Sequence, residues 1–118
     1  MLSSGRVGAW SARQMVKHVG QLAVNPVIYA ELCYRADSPE EVDDLLVQFG
    51  LIYLETPREA LFLAAKAYAV YRQRGGLKSA PLPDFFIGAQ AALTGLRILT
   101  RDPQRYRTYF PSVELISH

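Results

Sequence analysis

Glu31, Asp84 and Asp102 are the residues of this sequence whose types and positions could do chemistry together. The almost uncharged stretch 85–100 lies between Asp84 and Asp102, and Glu31 is the only acid in the apolar segment 27–33. A cluster of oxygen ligands with no histidine or thiol beside it favours Mg²⁺ or Mn²⁺ over zinc. Such a site polarises a phosphoryl oxygen and generates a hydroxide nucleophile. These side chains therefore suggest metal-dependent phosphodiester hydrolysis.

Helices and short apolar strands alternate along the chain, which is typical of an α/β domain. The predicted helices cover 9–19, 26–35, 39–49, 57–74 and 83–94, with a short turn-and-helix segment at 103–110. The predicted strands cover 22–24, 51–54, 96–100 and 113–116. Because helices separate the strands, we expect a parallel sheet that is covered by helices on both faces.

Local signals mark the starts of three of these helices. Asn25 stands before a proline as an N-cap, and Ser38 begins a capping box that ends at a glutamate. Thr56 stands in the same position before a proline and Glu59. We therefore expect Thr56 to cap the fourth helix as Ser38 caps the third.

The predicted topology places the three acids along one edge of the sheet. In a parallel α/β sheet, the starts of the helices and the ends of the strands lie on the same side. Asp84 begins a helix, Asp102 follows a strand, and Glu31 lies in the second turn of a helix that follows a strand. We therefore expect the three carboxylates to converge at the carboxyl edge.

Each acid also has an interpretation that involves no metal. Asp84 could complement the dipole at the start of its helix, and Asp102 stands before a proline, where turns commonly have an aspartate. Glu31 lies between apolar residues, so a salt bridge to an arginine is its main alternative. Spacing alone leaves these alternatives open.

Composition and length limit the class of protein. A chain of 118 residues that is 50% hydrophobic predicts a single domain with a substantial core. The net charge of +2 permits contact with nucleic acid without indicating it. Cys33 is the only cysteine, which excludes an intrachain disulfide and suits a reducing cytoplasm. No apolar run reaches the ~18 residues that would span a membrane, so we expect a cytoplasmic protein.

Three segments resemble the PIN-domain family, in particular the VapC-like toxins of bacterial toxin–antitoxin pairs. They are NPVIYAEL at 25–32, LPDFFIGAQAALTGLRILTRDPQRYRTYFP at 82–111, and VELI at 113–116. The resemblance implies a single three-layer PIN-like domain over 1–118 and the activity of a Mg²⁺- or Mn²⁺-dependent endoribonuclease. It also implies that this hydrolase is the toxin of a type II toxin–antitoxin system.

The resemblance also assigns residues and partners. It implies that Glu31, Asp84 and Asp102 bind the metal and carry the catalysis, and that Thr100 supports the last of them. RNA and a small antitoxin that covers the site are the implied partners, and a homodimer is a further candidate assembly. Basic residues could contact RNA phosphates, or they could form a solvated surface. They are Arg72, Arg74, Lys78, Arg101 and Arg105.

The chain departs from the family pattern at its start. The family opens with a central strand that ends in an aspartate, whereas no acid precedes Glu31 here and no strand can be recognised in 1–8. We therefore expect the first strand to be missing, residues 1–8 to be poorly ordered, and the strands at 22–24 and 96–100 to lack a shared neighbour. The alternative function is a PIN-like module that engages antitoxin or RNA without cleavage.

Overall fold

The computed structural model describes residues 1–2, 9–18, 20–75, 82–100 and 102–117, with the backbone alone at 9–12. Within these ranges, six helices alternate with four short strands. The helices are α1 (Ala9–Lys17), α2 (Pro26–Tyr34), α3 (Pro39–Gln48), α4 (Arg58–Gln73), α5 (Leu82–Thr94) and α6 (Gln104–Tyr109). The strands are β1 (Ala23–Val24), β2 (Ile52–Tyr53), β3 (Ile98–Leu99) and β4 (Leu115–Ile116). The predicted alternation is confirmed, and the predicted ends agree within two residues.

The caps of α2 and α3 form as the sequence predicts. The Ile28 amide donates to Asn25 Oδ1 at 2.9 Å, and the Glu41 amide donates to the Ser38 hydroxyl at 3.2 Å. The predicted cap of α4 is wrong. No side chain caps that helix, and the Thr56 hydroxyl donates to the side chain of Gln90 instead. A buried acceptor on another element therefore competes successfully for the hydroxyl that would otherwise face the helix start.

The strand pairs are parallel, as the alternation of helices and strands predicts. β1 pairs with β2, with Ala23 opposite Ile52, and β3 pairs with β4, with Ile98 opposite Leu115. β1 and β3 are buried, whereas both side chains of β2 are exposed. The α/β class and the parallel strand direction of a PIN-like fold are therefore confirmed.

Met1 and Leu2 lie between the two strand pairs. The Leu2 amide donates to the Ala23 carbonyl at 2.9 Å, and the Leu99 amide donates to the Met1 carbonyl at 2.8 Å. Leu2 also forms a parallel bridge with Leu99, and the side chains of Met1 and Leu2 are both buried. The expectation that β1 and β3 share no neighbour is therefore corrected. Two apolar residues provide the pairing, and 3–8 lie outside the described residues.

Helix α5 is the central helix of the core and contacts α2, α4 and α6. Its residues from Ile87 to Ala91 are all buried. Gly88 allows the closest approach, because a Cβ at this position would collide with the ring of Phe110. In the described ranges, no helix is both long enough and apolar enough to cross a membrane.

Candidate metal centre

Glu31 presents a carboxylate whose charge is not balanced in the described part of the chain. Its side chain is partly buried, and its Oε1 atom is shielded from solvent without accepting a hydrogen bond. Burial raises the pKa of Glu31 above its ordinary value, and the nearby charge of Asp84 raises it further. The two carboxylates are therefore close enough to repel each other. A cation between them would relieve both the burial of charge and the repulsion.

Asp84 lies in the first turn of α5, and its side chain is 13% exposed. The Arg105 guanidinium donates to its Oδ2 at 2.7 Å, and the Tyr106 hydroxyl donates to its Oδ1 at 3.3 Å. Arg105 also lies over the ring of Tyr71, 5.6 Å from its centre. The salt bridge that the sequence left open for Glu31 is therefore found at Asp84. Arg105, a predicted RNA contact, pairs with a carboxylate of the candidate site.

Asp102 and Thr100 follow β3. Thr100 is buried, and its hydroxyl accepts a hydrogen bond from the Asp102 amide at 3.0 Å, whereas the side chain of Asp102 is exposed. Among the described residues, no three or more His, Cys, Asp or Glu side chains form a group that could hold one ion. The charge of Asp84 lies near enough to Glu31 to raise its pKa, and the convergence of all three acids stays a prediction.

The remaining basic residues have mixed positions. Arg72 and Arg74 are exposed at the end of α4, where the Arg74 guanidinium lies 5.6 Å from the centre of the Tyr109 ring. Lys78 and Arg101 lie outside the described residues. Contacts between these four residues and phosphate stay predictions.

A groove of about 630 Å³ leads to Glu31 from the solvent. Its walls are mostly apolar, and the Tyr34 side chain at its border is 88% exposed. Besides Glu31, the lining residues are Pro26, Val27, Ala30, Tyr34, Arg35 and Pro83. The groove is therefore open enough for a ligand to reach Glu31.

Sequence reasoning missed a buried amide pair, Asn25 and Gln90. Asn25 Nδ2 donates to Gln90 Oε1 at 3.0 Å, and Gln90 Nε2 donates to the Glu55 carbonyl at 3.0 Å. The Thr56 hydroxyl also donates to Gln90 Oε1 at 3.0 Å. Asn25 is 0% exposed and Gln90 is 1% exposed. Both amide side chains are therefore fully enclosed, and each makes hydrogen bonds through both its oxygen and its nitrogen.

The amide pair connects the two helices that carry the acids. Glu31 follows Asn25 by six residues on α2, and Asp84 precedes Gln90 by six residues on α5. A fixed contact at the amides therefore limits how far the two carboxylates can move apart. The signal in the sequence is Gln90 itself, which is the only amide side chain of α5 and stands among apolar residues.

A divalent cation, which the resemblance implies, fits the acidic pair. Glu31 and Asp84 offer hard oxygen ligands, and Oε1 of Glu31 has no hydrogen-bond partner. Mg²⁺ is usually held by one or two carboxylates, with water completing its shell. The pair could therefore hold a hydrated Mg²⁺ or Mn²⁺, to which Asp102 would add a third carboxylate.

Solved structures similar to this chain come from bacterial complexes. VapBC2 from Rickettsia felis, bound to a DNA fragment from its promoter, matches with a TM-score of 0.64 and 16% identity over 89% of this chain and 83% of that chain. DNA-bound VapBC from Salmonella typhimurium matches with a TM-score of 0.66 and 16% identity, over 93% and 85%. FitAcB from Neisseria gonorrhoeae matches with a TM-score of 0.55 and 19% identity, over 92% and 81%. At these identities, the likeness shows the fold.

No curated protein matches the chain significantly. The model of the PIN domain family, in contrast, matches residues 1–111, which is nearly the whole chain. That match includes the two helices that carry Glu31 and Asp84, and the segment that carries Asp102. The chain belongs to the PIN domain family.

Proposed function

We propose that the protein is a divalent-metal-dependent endoribonuclease and the toxin of a bacterial type II toxin–antitoxin pair. The observation that supports this function best is the orphaned Oε1 of Glu31 beside Asp84, in a domain of the PIN family. A buried carboxylate oxygen without a partner is costly, and native proteins tolerate it mainly where a ligand completes the arrangement.

Glu31 and Asp84 hold the ion in this proposal, and Asp102 adds a ligand from the end of β3. Mg²⁺ or Mn²⁺, when bound, supplies charge stabilisation at the scissile phosphoryl group and activates the attacking water. Thr100 supports Asp102 by accepting the hydrogen bond of its amide, which fixes the turn after β3. The amide pair of Asn25 and Gln90 keeps the two ligand-bearing helices in register.

RNA is the proposed substrate, and a small antitoxin is the proposed protein partner. Arg72 and Arg74 are exposed and could contact the phosphates of the RNA. The apolar groove beside Glu31 suits an antitoxin segment that covers the acids. The likeness to VapBC complexes supports this partner, and a homodimer and a cytoplasmic location complete the proposal.

A second candidate function is a PIN-like module that binds antitoxin or RNA without cleavage. One observation favours it: the described residues contain no group of three or more metal ligands. A site with two carboxylates would hold a divalent ion weakly. The two functions differ in one property, the hydrolysis of RNA by the wild-type chain.

The test is cleavage of a labelled RNA by the purified chain in Mg²⁺ or Mn²⁺. We expect Glu31→Gln and Asp84→Asn each to lower the cleavage rate at least about a hundredfold, because the loss of groups that only support metal ligands already costs 10- to 100-fold. Glu59→Gln and Asp44→Asn are matched controls, since both residues are exposed and lie on other helices. These controls should cleave like the wild type.

Two results would contradict the proposed enzymatic function. Cleavage that persists in Glu31→Gln and Asp84→Asn would assign the activity to another site or to a contaminant. A folded wild-type chain that cleaves no RNA in either metal would leave the binding module as the function.

A further inference from the structure

The ion pair between Arg105 and Asp84 occupies the atom that a metal would need. Arg105 reaches Oδ2 of Asp84 at 2.7 Å, and the two side chains are 23% and 13% exposed. An arginine–carboxylate hydrogen bond of this length is among the stronger polar contacts in proteins. A divalent cation that binds Oδ2 would therefore compete with the guanidinium for this atom, because the two positive charges repel each other.

Two donors to Asp84 differ in how freely they can move. Oδ1 accepts from the hydroxyl of Tyr106, a side chain that is 1% exposed. Oδ2 accepts from Arg105, which lies in the first turn of the short helix α6 and keeps contact with solvent. Arg105 therefore has more room to change its side-chain conformation than the buried Tyr106 has.

Glu31 has no comparable compensation. Its buried Oε1 accepts no hydrogen bond, although it belongs to the same acidic pair. The guanidinium therefore balances only one of the two carboxylates, and it does so from the side of α6. A divalent cation would balance both.

We propose that Arg105 is an internal counter-ion, which occupies Oδ2 of Asp84 in the metal-free protein and is displaced when a divalent cation binds. The inference deepens the proposed function and rests on it, because it requires Asp84 to be a metal ligand. In this arrangement Arg105 competes with the cation for Asp84. It lowers the apparent metal affinity and makes the empty site stable.

Two other roles for Arg105 predict different results. A residue that positions Asp84 for the metal should weaken binding when it is removed. A residue that contacts only RNA phosphate should leave metal affinity unchanged. The sign of the change in metal affinity therefore separates the counter-ion from both alternatives.

The experiment measures Mn²⁺ binding, read from the electron paramagnetic resonance signal of the free ion at constant ionic strength. Arg105→Met removes the guanidinium and keeps an apolar stem against Tyr71. We expect it to bind Mn²⁺ about tenfold more tightly than the wild type, which corresponds to about 1.4 kcal/mol. Arg107→Met is the matched control, because Arg107 is exposed on the same helix and its loss changes the net charge equally. The control should stay within about twofold of the wild type, because an exposed charge at that position is screened.

The first case is one in which the wild type binds Mn²⁺ and Asp84→Asn does not. Equal or weaker binding by Arg105→Met than by the wild type then overturns the counter-ion role and leaves the proposed function intact. Equal gains in Arg105→Met and Arg107→Met also overturn it, because net charge alone would then explain the effect. If neither the wild type nor Arg105→Met binds Mn²⁺ more tightly than Asp84→Asn, the metal site and the counter-ion fail together.

A second measurement needs no folded variant at position 105. In the wild type, a Mg²⁺ titration should shift the Nε–H signal of Arg105 in the ¹H–¹⁵N spectrum, whereas the Arg107 signal stays in place. Triple-resonance side-chain spectra of the wild type assign the signal. An Arg105 signal that does not move at saturating Mg²⁺ overturns the inference.

Discussion

Helices α2 and α5 share two polar links whose surroundings are opposite in character. In the first link, the side chains of Asn25 and Gln90 are fully buried, and both make hydrogen bonds through their oxygen and their nitrogen. In the second link, the carboxylates of Glu31 and Asp84 repel each other, and Oε1 of Glu31 accepts no hydrogen bond. The links lie six residues apart on each helix.

The difference separates a structural polar contact from the pair at which we propose that a ligand binds. A buried network whose groups are all satisfied rigidifies the core and lowers the free energy of the folded state. A pair of carboxylates with an unpartnered oxygen raises that free energy, and proteins keep such conflicts mainly at functional sites. The amide pair therefore stabilises the fold, and the acidic pair is where we propose a cation site.

The largest expected effect is at the amide pair. Gln90→Leu leaves Asn25 Nδ2, the Thr56 hydroxyl and the Glu55 carbonyl without their partner, so we expect the free energy of unfolding to fall by about 3 kcal/mol. Denaturant unfolding measures this change. Gln73→Leu is the control, because Gln73 is exposed at the end of α4 and its loss should change stability by about 0.5 kcal/mol or less. An equally small change in the free energy of unfolding of Gln90→Leu would show that the amide pair does not stabilise the fold.

The second effect is at the acidic pair and has the opposite sign. Free Mn²⁺ at ten times its dissociation constant should stabilise the wild type by about 1.4 kcal/mol, because it binds only the folded state. Thermal unfolding should show a rise in Tm of about 5 °C. Glu31→Gln should lose most of this rise. Stabilisation that is equal in Glu31→Gln would place the ion elsewhere.

The third effect distinguishes the observed role of Thr56 from the predicted cap. Thr56→Val removes one donor to Gln90, whose Oε1 still accepts from Asn25, so we expect a loss of about 1 kcal/mol. Amide exchange in the first turn of α4 should stay as in the wild type. Ser38→Ala provides the contrast, because Ser38 does cap α3 and its loss should speed exchange there. Faster amide exchange at the start of α4 in Thr56→Val would show that Thr56 caps this helix.

The smallest effect is a dependence on pH. Folding raises the pKa of Glu31, so the folded state holds the proton of this carboxyl group more tightly than the unfolded state does. The stability that the bound proton provides is present below the ordinary pKa of 4.5 and is lost as the pH rises through the folded pKa. The Glu31→Gln variant has no carboxyl group at this position, so its stability does not fall in this way as the pH rises. Its stability relative to the wild type should therefore increase from pH 4 to neutral pH and reach about 0.5 kcal/mol, since Glu31 keeps contact with solvent. Unfolding curves at several pH values check the slope, and a slope of opposite sign would show that a partner stabilises the charged form.

Local signals in the sequence predicted the elements and two of their caps. The caps at Asn25 and Ser38 each join atoms within three residues, so a motif is enough to recognise them. The alternation of helices and strands likewise predicted the parallel pairing. Placing helix starts and strand ends on one edge also predicted that Glu31, Asp84 and Asp102 converge, which stays a prediction.

Contacts between distant segments could not be predicted. Thr56 meets Gln90 across 34 residues, and Arg105 meets Asp84 across 21. Nothing in the local sequence distinguishes a threonine that caps a helix from one whose hydroxyl finds a buried amide. The pairing of Leu2 with Leu99 depends on backbone groups that every residue carries, so the apolar start of the chain gave no signal for it.

The central claim is that Glu31 and Asp84 form a divalent cation site. The most direct test is the anomalous scattering of Mn²⁺ in crystals of the wild-type protein. The predicted result is one strong peak within about 2.5 Å of an oxygen of each carboxylate, with the Arg105 guanidinium moved away from Asp84. A peak that contacts neither carboxylate, or no peak at a Mn²⁺ concentration that stabilises the protein in solution, would contradict the claim.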